Sequence, residues 1–169
     1  MSSFQSFAPR YRALSETGFL VMHKLAGMIQ AIASTIDEDA RIQSRFKTAS
    51  STWAKMNFLG LAIDEVDDLI GIRVITSDVA RCYEVVEALR RSWPEWSFTL
   101  EDYIAHPKTN GYKSLHLHVS VGDGLRFEVQ VRTEAMQRAS EHGDAAHWRY
   151  KLNFVPGRPS HDAAVIHSS

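Results

Sequence analysis

The sequence has a single cysteine, Cys82, in 169 residues. One thiol cannot close an internal disulfide or supply a cysteine-rich zinc site, so neither device holds this chain together. Uninterrupted apolar runs approaching the ~18 residues of a membrane span are also missing. The first residues, MSSFQSFAPRYRAL, lack the charged-then-apolar layout of a signal peptide. An excess of one charge is absent too: 19 Lys and Arg against 20 Asp and Glu leave −1, which excludes the global positive field of a protein that coats nucleic acid. What is there, 44% hydrophobic and 23% charged residues, has the proportions of one domain that acts in water. A domain of this size buries roughly 70% of its unfolded surface and needs no staples. The expectation is a cytoplasmic protein with no membrane partner, in which any anionic ligand is held locally.

Apolar residues at Tyr11, Leu14, Val21, Leu25, Met28, Ile32 and Ile36 recur at three and four, which predicts a helix over 11–36. A break follows at 37–40. Residues 41–56 carry four basic side chains and no acid, whereas residues 61–70 carry four acids and no base. Read as a helix, the basic block places Lys47, Ser51 and Lys55 on one face. LIGIRVIT (69–76) predicts a buried strand, and 77–94 a helix capped by Ser77 or Asp78 with a stripe of Val79, Cys82, Val86 and Leu89. FTLEDYI (98–104) alternates like a strand, PKTNGY (107–112) reads as a loop, and 114–121 with 125–131 form a hairpin about Gly122-Asp123-Gly124. Thr133 can cap a last helix to about Lys151, and 152–169 reads as a flexible tail. This order gives an α+β fold, a mixed β-sheet flanked by helices, in a single domain over 1–151.

Alternation in the hairpin sorts Leu115, Leu117, Val119, Val121, Leu125, Phe127, Val129 and Val131 to one face. Ser114, His116, His118, Ser120, Arg126, Glu128, Gln130 and Arg132 go to the other. Glu128 stands mid-strand between Phe127 and Val129, a costly place for a carboxylate without a task. Asp67 and Asp68 run straight into a hydrophobic strand and want a cation there. Magnesium, held by one or two carboxylates plus phosphate oxygens, fits that demand, and a solvated turn carboxylate is the alternative. Asp68 and Arg73 differ by five and so point to opposite faces of a regular strand, unless Asp68 precedes it or the strand bulges. Arg45, Lys47, Ser51 and Lys55 offer the charge-assisted donors a polyphosphate needs, although the same pattern suits a solvated helix face. Lys108, Asn110-Gly111, Tyr112 and His116 supply a cation, a tight turn, a flat ring and an imidazole. Such a ring can stack a base or simply pack. His116 and His118 have no evident third ligand for zinc.

Five segments in order, RFKTASSTWAKM, VDDLIGIRVIT, EDYIAHPKTNGYKSLHLHV, FEVQVRTEAM and EHGDAAHWRYK, resemble the synthetase domain of the RelA/SpoT family over about 41–151. The resemblance implies a nucleotidyltransferase-like synthetase fold. It also implies transfer of the β,γ-pyrophosphate of ATP to the 3′-hydroxyl of a guanine nucleotide, giving (p)ppGpp and AMP. In that reading Arg45 and Arg73 sandwich the adenine, and Lys47, Ser51 and Lys55 hold the phosphates. Asp68 and Glu128 bind Mg2+, with Glu128 as base. Tyr112 stacks the acceptor base, Lys108 and His116 meet phosphates, and Asn110 and Gln130 shape the acceptor pocket. Glu101 stands where many relatives have lysine, which leaves the acceptor open. No hydrolase or regulatory segment is recognisable in these residues. That suggests a second reading, a toxin-type synthetase acting on adenine nucleotides or tRNA and neutralised by an immunity or antitoxin protein; a nucleotide sensor is the non-enzymatic alternative. Oligomeric state stays open.

Overall fold

The computed structural model describes residues 4–122 and 124–141. The long helix α1 (Phe4–Ile36) leads into β1 (Arg41–Phe46), α2 (Ala49–Leu59) and a 3-10 turn (Ile63–Glu65). Then come β2 (Ile70–Thr76), α3 (Val79–Ser92), β3 (Ser97–Asp102), β4 (Leu115–Val121) and β5 (Leu125–Thr133). Residues 134–141 are helical, and Thr133 Oγ1 accepts from Met136 N at 3.3 Å, the cap expected there. The expected continuation to about Lys151 and the tail at 152–169 lie outside the described residues.

The five strands form one mixed sheet in the order β1-β2-β5-β4-β3, with β2 and β5 parallel and the other pairs antiparallel. Its apolar face carries Ile72, Val74, Leu115, Leu117, Val119, Phe127, Val129 and Val131. Against it pack Met22, Leu25, Ile29 and Ala33 of α1 and Cys82, Val85, Val86 and Leu89 of α3. The helices therefore cover one face and leave the polar face of the hairpin, with the matching residues of β1 and β2, to build a site.

Four details depart from expectation. Arg41–Phe46 is a strand rather than the start of a helix. Ile42 and Phe46 turn towards the core while Arg41, Gln43 and Arg45 point away, and pairing with β2 satisfies a backbone that a two-turn helix would leave open. Helix α1 begins seven residues before Tyr11 and runs through Pro9. The backbone bond lost at Pro9 is offset by Phe4 and Phe7 packing on Trp53, with centroids 5.6 and 5.1 Å away. By length and composition α1 also suits a membrane span, yet its apolar stripe is used by the domain core. Strand β3 stops at Asp102 because that carboxylate accepts from Ile104 N and Ala105 N at 3.0 and 2.8 Å, turning the chain. Val79, in the first turn after the Asp78 cap, is 41% exposed, and Val85 takes its place in the buried stripe.

Candidate functional site

Strand register assembles the polar face in two rows. Arg45, Gly71, Glu128, His118 and Thr99 are successive cross-strand neighbours, and so are Gln43, Arg73, Gln130, His116 and Glu101. Three groups of side chains stand on or beside these rows.

The first surrounds the N-terminus of α2. Thr48 caps the helix, accepting from Ser51 N at 3.3 Å, so Lys47 comes just before the cap and Ser51 lies in the first turn. A helix start with a lysine and hydroxyls favours an anion. Lys47 Nζ lies 2.8 Å from Asp68 Oδ2, and Lys55 Nζ lies 2.9 Å from Asp67 Oδ1 and 3.0 Å from Asp68 Oδ1. The opposed charge blocks of the sequence thus pair, and the cation Asp68 called for is supplied here by two ammonium groups. Burial pushes the Asp68 carboxyl up, but the bonds and charges of Lys47 and Lys55 outweigh it and leave it below its ordinary value. Burial likewise pulls Lys55 down, and its two aspartates outweigh that and raise it. Asp68 Oδ1 is buried without a directed hydrogen bond, despite its nearness to Lys55. Asp68 precedes β2 by two residues, so its spacing from Arg73 needs no bulge.

The second group centres on Glu128. His116 Nδ1 lies 2.7 Å from Glu128 Oε1, and Gln130 Nε2 donates to Glu128 Oε2 at 2.8 Å. Tyr112 Oη lies 2.9 Å from His116 Nε2. Burial pushes the Glu128 carboxyl up; the hydrogen bond and charge of His116, then the Gln130 amide, pull it down further, to about 2. Asn110 Oδ1 accepts from Tyr112 N at 3.1 Å, and Gly111 has φ +79°, so Asn110 shapes the loop that carries the ring. Lys108 Nζ sits 4.3 Å from the Tyr103 ring centre and 5.4 Å from that of Tyr112.

The third group is a pocket of about 190 Å³ lined by Gln43, Arg45, Gly71, Arg73 and Gln130 among others. Arg73 donates to Gln43 Oε1 at 3.2 Å and to Gln130 Oε1 at 3.4 Å. Burial, with the charges of Arg132 and Arg45, brings Arg73 down to about 10.

The expected residues therefore gather as Lys47, Ser51, Lys55 and Asp68; Lys108, Asn110, Tyr112, His116, Glu128 and Gln130; and Arg45 with Arg73. Residues given no role in advance link the groups. His118 bridges Asp67 at 3.6 Å and Glu101 at 3.2 Å beside Glu128, and the Arg132 guanidinium sits 5.6 Å from the Tyr112 ring centre. Both lie on the polar side of the alternation, which was the signal for them. Among the described residues no three His, Cys, Asp or Glu side chains converge as a metal cage.

Residues 44–154, more than half of the chain, match the family described as "Region found in RelA / SpoT proteins". The chain belongs to the RelA/SpoT family. A guanosine-3′,5′-bis(diphosphate) 3′-pyrophosphohydrolase of Spiroplasma citri is 42% identical over 111 residues, covering 66% of this chain and 15% of that protein. A probable chloroplastic GTP diphosphokinase of Arabidopsis thaliana is 43% identical over 111 residues, covering 65% and 15%. The chain thus spans about 15% of the length of these curated RelA/SpoT relatives. Among solved structures, a GTP pyrophosphokinase family protein from Streptococcus pneumoniae superposes with a TM-score of 0.73 at 22% identity, over 87% of this chain and 81% of that one. Small alarmone synthetase 1 of Bacillus subtilis, bound to its product pppGpp, gives 0.66 at 22% identity over 85% and 84%. At these identities they establish the fold, that of alarmone synthetases.

Proposed function

We propose that this domain is a pyrophosphokinase that moves the β,γ-pyrophosphate of ATP to the 3′-hydroxyl of a guanine nucleotide in the cytoplasm. The observation that carries the reading is a buried, ionised Glu128 at the centre of the polar face. Its cross-strand neighbour His118 reaches Asp67 and so the paired lysines of α2, while His116 ties it to Tyr112. In this reading Lys47, Ser51 and Lys55 hold the donor phosphates, and Arg45 and Arg73 clasp the adenine in the pocket between them. Tyr112 stacks the acceptor base. Lys108 and His116 meet acceptor phosphates, and Gln130 borders both subsites.

The hydroxyl oxygen bonds to the β-phosphorus as the bond from that phosphorus to the α–β bridging oxygen breaks, releasing AMP. Charge grows on the phosphate oxygens, so the protein contributes mainly position and neutralisation. Lys47 and Lys55 follow that charge. A carboxylate as acidic as Glu128 is a weak base. It orients the hydroxyl and takes its proton as the new P–O bond makes that oxygen acidic. The partly unsatisfied Asp68 Oδ1 and the Glu128 carboxylate are hard oxygen donors that fit Mg2+. When bound, the ion supplies further neutralisation of the phosphates.

The test offers magnesium and ATP labelled in its γ-phosphate with GDP, GTP, ADP, ATP or tRNA in separate reactions. Label on GDP or GTP, matched by AMP, is expected. Label on adenine nucleotides or tRNA alone would reassign the acceptor to the toxin-type reading, and label on none would leave a nucleotide sensor.

A further inference from the structure

The family match starts at residue 44, and α1 lies wholly before it. That helix nevertheless reaches the donor-phosphate loop. Tyr11 Oη donates to the backbone carbonyl of Lys47 at 2.6 Å, across 36 residues of sequence. The Tyr11 ring packs between Phe7 and Phe46, with centroids 5.6 and 6.0 Å away. Gly18 permits the approach on the next turns: a Cβ there would stand 2.3 Å from the Phe46 ring. Lys47 is thereby held at three points. Its N–H donates to Leu69 O at 2.7 Å, its carbonyl accepts from Tyr11, and its ammonium reaches Asp68. The carbonyl belongs to the peptide that leads into the Thr48 cap, so its orientation sets the direction of both the Lys47 side chain and the first turn of α2.

We propose that Tyr11 is a positioning residue for the donor-phosphate site, its hydroxyl fixing the Lys47–Thr48 peptide from a helix outside the matched family region. The inference rests on the donor-site reading given above. Without that bond the Lys47–Thr48 peptide must be ordered as ATP binds, and the worth of one neutral hydrogen bond sets that cost at about five-fold in affinity.

The experiment uses the 169-residue chain and its Tyr11→Phe variant, which keeps the ring and removes the hydroxyl. Calorimetry gives the Kd for α,β-methylene-ATP with magnesium, and steady-state assays give KM for ATP, KM for GTP and kcat. Tyr11→Phe should raise Kd and KM for ATP about five-fold while leaving kcat and KM for GTP within about two-fold. Phe19→Leu loosens α1 against Phe46 without touching Lys47. It should lower Tm and leave Kd unchanged. Equal analogue affinity in Tyr11→Phe and wild type overturns the role of Tyr11 alone. An equal rise in Kd in Phe19→Leu assigns the effect to helix packing and also overturns it. Wild-type protein that does not bind the analogue overturns the donor-site reading together with this one.

Discussion

Lys47 and Asp68 form an ion pair at 2.8 Å, largely shielded from water, with side-chain exposures of 10% and 19%. The residue assigned to phosphate and the residue assigned to metal therefore neutralise each other, and either ligand must compete with this pair. Asp68→Asn should release Lys47 to phosphate, while Lys55 keeps its pair with Asp67. ATP binding in EDTA is expected to tighten two- to five-fold, the range of about 0.5–1 kcal/mol for a partly screened pair. Magnesium-dependent transfer should fall at the same time. Calorimetry without metal checks this, and weaker metal-free binding would show that the pair does not compete with phosphate.

Acid should destabilise the fold through Glu128. Its folded pKa of about 2 lies below the ordinary 4.5, so the unfolded chain takes up the proton first as pH falls. The stabilisation is complete above about 4.5 and is lost progressively towards 2, amounting to at most about 3 kcal/mol. Asp68, lowered by its lysines, acts in the same direction. Urea midpoints measured from pH 7 to pH 2.5 should decline steeply in this window, and Glu128→Gln should flatten the decline. An unchanged slope in the variant would remove Glu128 as its cause.

Gly18→Ala sets two effects against each other. Alanine gains about 1 kcal/mol in helix propensity. Its Cβ, however, would meet the Phe46 ring at 2.3 Å, and that ring is already packed against Phe19 at a centroid distance of 5.3 Å. Overpacking costs about 1–3 kcal/mol, so a Tm lower by a few degrees is expected in thermal denaturation. A raised Tm would mean that the ring swings aside at little cost.

The sequence made the polar face legible because alternation over β4 and β5 is strict and the two strands pair from Leu115 with Val131 to Val121 with Leu125. His116, Glu128 and Gln130 could therefore be placed together in advance. Strand β1 was obscured by composition. Its outward Arg41, Gln43 and Arg45 made RIQSRF look like one charged segment with the helix that follows, and Ile42 and Phe46, four apart, suit a helix face as well as a strand face. The pairing of Lys47 and Lys55 with Asp67 and Asp68 was hinted at by opposed charge blocks. It needed β1 and β2 to fold antiparallel before the blocks could meet. Tyr11 could not be found from spacing at all, since its partner is a backbone carbonyl 36 residues away.

Single-turnover transfer from γ-labelled ATP to GTP, run side by side for wild type and Glu128→Gln, probes the centre of the polar face most directly. Glutamine keeps the size of the side chain and removes its charge. The variant should fold and bind ATP, yet transfer label at least ~10²-fold more slowly, the scale expected for a positioned proton acceptor. Transfer at close to the wild-type rate would contradict the account and place the chemistry elsewhere.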